Sequence, residues 1–413
     1  MTVWDRLVGQ RDAVEALAAA AAAAATGSAA GNASAMTHAW LITGPPGSGR
    51  SLAGEAFAAA LVCPNEGCGE CAECRAVASH SHPDVDVINP EGLSYRTGDA
   101  RALAGKAAYA PMRSAWHVIV LEDADRLTET ANNVLLKSIE EPPPRTVWVL
   151  CAPGVDDVLP TIRSRCRHLQ LRTPTTNEVA RQLAEVDGAD PDTAAFAARA
   201  AQGHVGRARA LAFDEGTRAR RQQVLGAPHR LTNLATCLDV AAELVGAARA
   251  ETAHSLEPLE VRERDDLLSA WGEGAQGRGV SGGARGMKGA LKELEQRQTS
   301  RRTRRVRDHL DRVLLDLLSY YRDVMVVAAG AAYSTGANAV ELINEELRTE
   351  IEAAAASESA GTTMIRVAAI GRARLALAAN VTPQLAMEAL MIDLRNPGLR
   401  GRIADTAPAF AAH

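Results

Sequence analysis

Aromatic side chains are scarce in this chain, since Phe, Trp and Tyr together account for only 3% of its 413 residues. Apolar residues nevertheless make up 47%, so Leu, Val and Ala must fill its cores, and the length suffices for two or three domains. A positive net charge is also missing, because the formal charge is -5. Proteins that bind nucleic acid over their whole surface are normally basic, so we expect any DNA contact to be local or shared with partner subunits.

A long hydrophobic run is absent as well. Residues 1–10 carry charges and lack the apolar stretch of a signal peptide. The alanine run at 18–25 is too short to span a bilayer, and it is interpreted as the end of a helix. Seven cysteines without a secretory signal indicate a reducing compartment. We therefore expect a cytoplasmic protein without a membrane role.

Short apolar runs alternate with helix-like segments in the first part of the chain. The runs predict strands, which we place at 39–43, 85–88, 118–121 and 146–151. Strands that alternate with helices form parallel sheets covered on both faces. From residue 173 the strand signal fades and helices are expected instead, among them one at 338–357. The predicted fold class is therefore α/β followed by all-α.

The segment Gly-Pro-Pro-Gly-Ser-Gly-Arg-Ser at 44–51 lies between a predicted strand and a predicted helix, which is the setting of a phosphate-binding loop. Its glycines allow backbone N–H groups to point at a phosphate. Lysine usually precedes the final Ser or Thr, but here arginine does, and a planar guanidinium fits phosphates differently from an ammonium. The pattern leaves open whether the chain binds ATP or ADP, or keeps the turn only because the fold requires it. The candidate nucleotide-binding residues are Gly44, Gly47, Gly49, Arg50 and Ser51.

An acidic pair follows the predicted strand at 118–121. Glu122 and Asp123 stand where Asp and then Glu ordinarily bind a metal ion and position a water molecule. The reversed order lengthens one side chain and shortens the other, and a shift of about 1 Å can cost on the order of a hundredfold in rate. Two solvated acids at a strand end are the alternative. We therefore expect no useful ATP hydrolysis by this chain alone.

Four cysteines lie within twelve residues: Cys63, Cys68, Cys71 and Cys74 have the spacing C-x4-C-x2-C-x2-C. Four thiolates suit tetrahedral zinc and leave no open position for a catalytic water, which predicts a structural Zn²⁺ site. An iron–sulfur cluster uses similar ligands, and chance clustering is the remaining alternative.

The most specific segment is Leu-Pro-Thr-Ile-Arg-Ser-Arg-Cys at 159–166. Three further features accompany it: Val-Gly-Gln at 8–10, the cysteine module directly after the phosphate-loop helix, and Ala-Asn-Asn-Val-Leu-Leu-Lys-Ser-Ile-Glu-Glu-Pro-Pro at 131–143. Together they resemble the bacterial DNA polymerase III clamp-loader family. These motifs lie in the first 170 residues, whereas the C-terminal third matches only as a helical collar.

The resemblance implies an AAA+ fold, a parallel sheet with helices on both faces and an inserted zinc module, followed by a helical lid and an all-α collar. The implied domains are the AAA+ module at 1–171 with zinc at 63–74, the lid at 172–213, and the collar at 214–400 with a flexible insert at about 272–304.

Within this family, the sequence is similar to subunits that keep the zinc cysteines and Ser-Arg-Cys while their ATP motifs decay. The strand after the acidic pair ends at Cys151 without the usual polar residue, and Gly206 stands where active members usually have arginine. The resemblance implies that Arg165, between Ser164 and Cys166, acts in trans as an arginine finger at a neighbouring motor subunit's ATP site. The alternative for this arginine is an ion pair with an acid on its own domain.

The implied partners are tau/gamma-type motor subunits, a clamp-opening delta subunit, the beta sliding clamp, and primer–template DNA contacted through the assembly. The chain would then be a non-motor subunit of the DNA polymerase III holoenzyme whose own ATPase is absent or very weak. Two rival functions remain, a self-sufficient AAA+ motor that uses Arg50 in place of lysine and a zinc-knuckle DNA-binding module with a vestigial ATPase fold. The six arginines at 297–307 face either DNA, solvent or an acidic neighbouring subunit.

Overall fold

The computed structural model describes residues 2–26, 36–272, 280–333 and 340–398 of the chain. The chain forms two compact units, Met1–Phe213 and Asp214–His413. Within the described residues, no helix combines the length and the apolar character that a bilayer crossing requires.

The N-terminal unit is built on a five-stranded sheet in which all neighbouring strands are parallel. Its strands are β1 (Ala39–Thr43), β2 (Val85–Ile88), β3 (His117–Leu121), β4 (Thr146–Ala152) and β5 (Arg167–Gln170). Their spatial order is β2-β3-β4-β1-β5. Every residue of β1, β3 and β4 is buried, as expected for central strands covered on both faces. The predicted parallel sheet is confirmed.

Helices supply the two apolar layers that cover this sheet. Because successive strand residues point to opposite faces, β1 contributes Trp40 and Ile42 to one apolar cluster and Leu41 to the other. Parallel strands also end at the same edge of the sheet, and this edge carries the phosphate loop after β1 and the acidic pair after β3. The helices are α1 (Arg11–Thr26), α2 (Arg50–Val62), α3 (Ala72–Ala78), α4 (Thr97–Ala107), α5 (Glu129–Glu140) and α6 (Pro160–Arg163).

Short helices after β5 form the predicted lid region. They are α7 (Thr176–Arg181), a π-helical turn (Gln182–Val186), α8 (Pro191–Ala201) and α9 (Val205–Phe213). Thr175 and Glu178 begin α7 with a capping box, in which each side chain accepts the other's backbone N–H. Buried alanines dominate the core of this region, which Val8 from the N-terminal segment also joins. Small side chains let these short helices pack closely.

The described residues of the C-terminal unit are helical and include no strand. Leu310, Leu314 and Leu317 recur on one face of its longest helix, and all three are fully buried in the unit's core. The expected helical C-terminal region is confirmed. Its helices are α10 (Glu215–Arg230), α11 (Leu234–Gly272), α12 (Val280–Ala328), α13 (Arg348–Ser357), α14 (Ala360–Ala378) and α15 (Pro383–Arg395).

The insert predicted to be flexible at about 272–304 differs from that expectation. Helix α12 already begins at Val280, so residues 280–304 are helical, whereas 273–279 lie outside the described part of the chain. Composition did not predict this helix, because the glycines at 272–289 weaken the helical pattern.

Contacts between α11 and α12 explain why this insert is helical. Leu256 and Leu294 are buried. The guanidinium of Arg302 forms an ion pair with Glu260, whose side chain is only 5% exposed. Tertiary contacts of this kind override weak helix propensity.

The helix expected at 338–357 is shorter in the structure. Helix α13 begins at Arg348, after a 3₁₀ turn at Glu345–Leu347. The buried carboxylate of Asp323 accepts the backbone N–H groups of Ile343 and Asn344 at 3.1 and 2.7 Å. This carboxylate satisfies backbone donors that a helix would otherwise use, so the segment before α13 is irregular.

Candidate functional site

The phosphate loop occupies the sheet edge between β1 and α2. Gly47 and Gly49 have φ of 86° and 94°, a left-handed conformation that glycine adopts without steric cost. A Cβ atom on Gly47 would lie 2.4 Å from Cγ of His204, so close packing also requires glycine there. The loop therefore has a glycine-dependent backbone that leads directly into the N-terminus of α2, as anion-binding loops do.

Gln10 connects this loop to the segment that leads into the lid. Its side-chain amide donates to the backbone carbonyls of Ser48 at 3.2 Å and Arg172 at 2.7 Å. Its side-chain carbonyl accepts the Arg172 N–H at 3.2 Å. All of these partners are backbone groups, so this buried glutamine holds the loop and the lid connection together.

Arg50 stands where phosphate loops usually have lysine, and its guanidinium is turned back onto its own loop. Nη1 donates to the carbonyl oxygen of Gly44. A guanidinium used in this way has part of its fork occupied by the protein, whereas a lysine ammonium extends toward the phosphates. The geometry therefore favours a weakened cradle for a nucleotide.

The acidic pair lies beside the loop at the end of β3. Ser51 donates a hydrogen bond to Glu122, while burial raises the pKa of that carboxyl above its usual range. Asp123 has a left-handed backbone with φ of 48°, and its carboxylate lies 3.6 Å from the Arg126 guanidinium. The two carboxylates thus have different partners within the chain.

Two further positions line this region of the unit. Cys151 is 2% exposed at the end of β4, and burial raises the pKa of its thiol, so it remains a weak neutral donor. His204 lies against Gly47, and its Nδ1 accepts the Arg207 N–H at 3.2 Å. Sequence reasoning did not single out His204, and the only available signal was a polar residue after Gly203 at the start of the lid's last helix.

The structure brings the four cysteines of the 63–74 module together. The Sγ atom of Cys63 lies 3.7 Å from that of Cys68 and 3.6 Å from that of Cys71. The four sulfur atoms, including that of Cys74, all lie within 4.8 Å of one another. A zinc ion with Zn–S bonds of about 2.3 Å spaces its four sulfurs about 3.8 Å apart. The cysteines can therefore hold a metal ion, and the donor set fits structural zinc.

Local backbone geometry prepares these thiols for a metal. Cys63 Sγ accepts the Asn65 N–H at 3.3 Å, and Cys71 Sγ accepts the Cys74 N–H at 3.4 Å. Backbone hydrogen bonds from Glu70 and Cys71 lower the pKa of the Cys68 thiol to about 6. Hydrogen bonds to sulfur favour the thiolate, which is the form that binds metal, whereas burial raises the pKa of the Cys74 thiol in the same cluster.

The Ser-Arg-Cys segment forms the turn between α6 and β5. The backbone N–H groups of Arg165 and Cys166 donate to the carbonyls of Ile162 at 3.0 Å and Arg163 at 3.2 Å. Ile162 is fully buried, and the Cys166 side chain packs against the same apolar cluster. Burial raises the pKa of the Cys166 thiol to about 12. The residues flanking Arg165 therefore anchor its backbone to the core.

The side chain of Arg165 is partly exposed, at 38%. Its Nη1 donates to the Thr161 carbonyl at 2.5 Å and lies 3.2 Å from Ser164 Oγ. Its Nη2 forms an ion pair with Glu140, the last residue of α5. Nε has no hydrogen-bond partner among the residues that the structure describes. Arg165 thus forms an ion pair with an acid of its own domain, the contact that the alternative raised from the sequence requires.

The arginine-rich stretch at 297–307 lies on α12. Arg301 contacts Glu263 of α11 at 2.8 Å, and Arg304 lies 3.8 Å from Asp308 of its own helix. These ion pairs, like that of Arg302 with Glu260, favour a role within the helical unit over a continuous surface for DNA.

Several known proteins are similar to part of this chain. Residues 25–175 match the model of the family described as DNA polymerase III, delta subunit. The delta' subunit of DNA polymerase III from Pseudomonas aeruginosa is 38% identical over 135 residues, 31% of this chain and 41% of that protein. The delta' subunit from Bacillus subtilis is 31% identical over 155 residues, 37% of this chain and 47% of that protein. The gamma/tau subunit from Mycobacterium tuberculosis H37Rv is 31% identical over 173 residues, 40% of this chain and 30% of that protein.

A solved structure covers more of the chain. It is that of a DNA polymerase III gamma-subunit-related protein from Thermotoga maritima, which is 14% identical and has a TM-score of 0.34, with 86% of this chain and 93% of that chain covered. A TM-score this low adds nothing to the assignment.

Residues 25–175 are therefore similar to clamp-loader subunits of DNA polymerase III, on which the family model and the named relatives agree. Four of the similar proteins are delta' subunits of DNA polymerase III. The chain spans less than half the length of the curated relatives described above.

Proposed function

We propose that this chain is a non-motor AAA+ subunit of a clamp loader and that Arg165 serves a neighbouring subunit. In this proposal Arg165, carried by Ser164 and Cys166, extends into the ATP site of an adjacent tau/gamma-type motor subunit. The assembly then loads the beta sliding clamp onto primed DNA during replication, with a delta-type subunit opening the clamp. The chain itself hydrolyses ATP poorly or not at all.

The observation that carries the proposal is the setting of Arg165. Its backbone is anchored on both sides, its guanidinium is partly exposed, and Nε is unbonded among the described residues. A guanidinium has five N–H donors in a planar fork that matches phosphate oxygens. An anchored arginine with unused donors is suited to stabilise the charge of a transferring phosphoryl group.

The chain's own phosphate site supports the non-motor part of the proposal. Arg50 bonds to the carbonyl of Gly44, and Glu122 is hydrogen-bonded to Ser51. An efficient motor needs a compact cation at the phosphates and a correctly placed acid pair. Any ATP or ADP bound here would thus be held without efficient hydrolysis.

The zinc module has a structural role in this proposal. Four cysteine ligands leave no coordination position for substrate or water. Cys63 directly follows α2, the helix that the phosphate loop begins. Zinc at these cysteines would therefore fix the C-terminal end of that helix rather than take part in chemistry.

The test of the proposal is an Arg165→Ala substitution in the reconstituted assembly. Arginine fingers contribute about 10³- to 10⁵-fold to rate in comparable systems, so turnover at the interface that this chain supplies should nearly vanish. Clamp loading onto primed DNA should fall with it. The matched control is Arg163→Ala, because Arg163 ends α6 two residues before Arg165 and pairs with the exposed Asp156.

Unchanged ATP turnover and clamp loading by the Arg165→Ala assembly would exclude the proposed role. A second experiment uses the purified chain alone and tests the rival function, a self-sufficient motor. Turnover by the purified chain at an ordinary enzymatic rate of about 1 per second or more would favour that rival.

A further inference from the structure

Glu140 is the acid that meets Arg165, and its own position is fixed. It is the last residue of α5, and the residue before it, Ile139, is fully buried. The carbonyl of Ser138 accepts the indole N–H of Trp148, a buried residue of β4, at 3.0 Å. Thr128 caps the other end of the helix by accepting the Ala131 N–H. The carboxylate therefore projects from a rigid part of the N-terminal unit.

The contacts of the Arg165 guanidinium are unevenly distributed. Both Nη groups are bonded, one to Glu140 and the other to Thr161 and Ser164, whereas Nε is unbonded among the described residues. Nη2 also carries a second hydrogen that one contact does not use. The Nε–H group and this hydrogen can donate to a phosphate while the contact with Glu140 persists.

We propose that Glu140 is a positioning residue for Arg165, holding the guanidinium in the orientation in which its free donors meet the neighbouring subunit's phosphate. This inference rests on the proposed function. An arginine side chain has several rotatable bonds, and holding it in one conformation before the phosphate arrives lowers the entropy cost of the contact. Both partners of this contact are charged, and charge-assisted hydrogen bonds hold their geometry more strongly than neutral ones.

The main competing idea is that Glu140 captures Arg165 and withholds it from the phosphate. The two roles predict opposite effects of removing the carboxylate. A positioning residue makes the assembly slower when it is lost, whereas a competing anion makes it faster.

The experiment measures steady-state ATP turnover by the complete assembly that contains Glu140→Ala or Glu140→Gln in this chain. We expect Glu140→Ala to lower kcat by about tenfold or more, because misplacing a catalytic group by about 1 Å can cost on the order of a hundredfold. KM for ATP should stay the same, because in this proposal Glu140 contacts Arg165 and not the nucleotide. Glu140→Gln keeps an acceptor for Nη2 and should lose less.

A double substitution tests whether Glu140 acts through Arg165. Arg165→Ala combined with Glu140→Ala should turn over ATP at the same rate as Arg165→Ala alone, since there is no guanidinium left to position. Glu141→Gln, an exposed acid next in the chain, is the matched control and should leave kcat unchanged. Melting temperatures and co-purification of each variant check that fold and assembly are intact.

The outcomes separate this inference from the function on which it rests. If Arg165→Ala has no effect, the proposed function fails. If Arg165→Ala slows the assembly but Glu140→Ala leaves kcat unchanged, raises it, or adds its own loss to that of Arg165→Ala, only the positioning role of Glu140 is overturned.

Discussion

At the scale of single residues, the best-defined site is the four-cysteine module at 63–74, because thiolates are metal ligands. We predict one zinc ion per chain and its loss in Cys71→Ser, because a hydroxyl is a poor substitute for a thiolate ligand. The free energy of binding a structural zinc ion contributes to the free energy of folding. The free energy of unfolding of the variant should therefore fall by on the order of several kcal/mol. Metal analysis and thermal melting measure both effects.

The matched control for the zinc prediction is Cys237→Ala. Cys237 is buried in the C-terminal unit, apart from the four-cysteine module, so this variant should keep one zinc per chain. Iron in place of zinc, or full zinc binding by Cys71→Ser, would contradict the assignment.

Residue types and spacing were enough to predict the four cysteines as a metal site, because their ligand chemistry is encoded within twelve residues. Pairs that are distant in sequence were not predictable. Glu140 meets Arg165 across 25 positions, and Gln10 meets Arg172 across 162. Only the packing of α5, α6 and the sheet brings such groups together, and no local pattern encodes it.

At the scale of elements, the loop between β1 and α2 depends on a glycine that no other residue can replace. We predict that Gly47→Ala destabilises the chain by more than about 1 kcal/mol, because alanine is strained at a positive φ. The new Cβ would also lie 2.4 Å from the His204 side chain, which must then move. Denaturant unfolding of the purified chain measures the change.

Gly105→Ala is the matched control for this loop prediction. Gly105 lies within α4 and has open space around it, so alanine should stabilise the helix by about 0.5–1 kcal/mol. Equal stability of Gly47→Ala and the wild-type chain would contradict the structural requirement for glycine in the loop.

Elements with a strong local pattern were predicted and those that depend on tertiary contacts were not. The strands β1, β3 and β4 are continuous apolar runs, so the sequence alone indicates that they are buried strands. Helix α12 begins in a glycine-rich segment, and Arg301 and Arg302 further along it pair with acids of α11. Composition therefore predicted a loop, because these pairs link residues that are distant in sequence.

At the scale of the whole molecule, the proposed function divides the work between subunits. This chain presents an anchored arginine, while its own phosphate loop carries a cation that is bonded to the loop itself. In the proposed function, such a subunit acts on ATP bound by a neighbour, to which it contributes the positive charge of its arginine. We therefore expect activity only from the assembly.

The most direct measurement is a structure of the complete assembly bound to a non-hydrolysable ATP analogue. We predict that an Arg165 nitrogen lies about 3 Å from an oxygen of the terminal phosphate in the adjacent motor subunit. An Arg165 guanidinium far from every bound triphosphate in the assembly would contradict the proposed function.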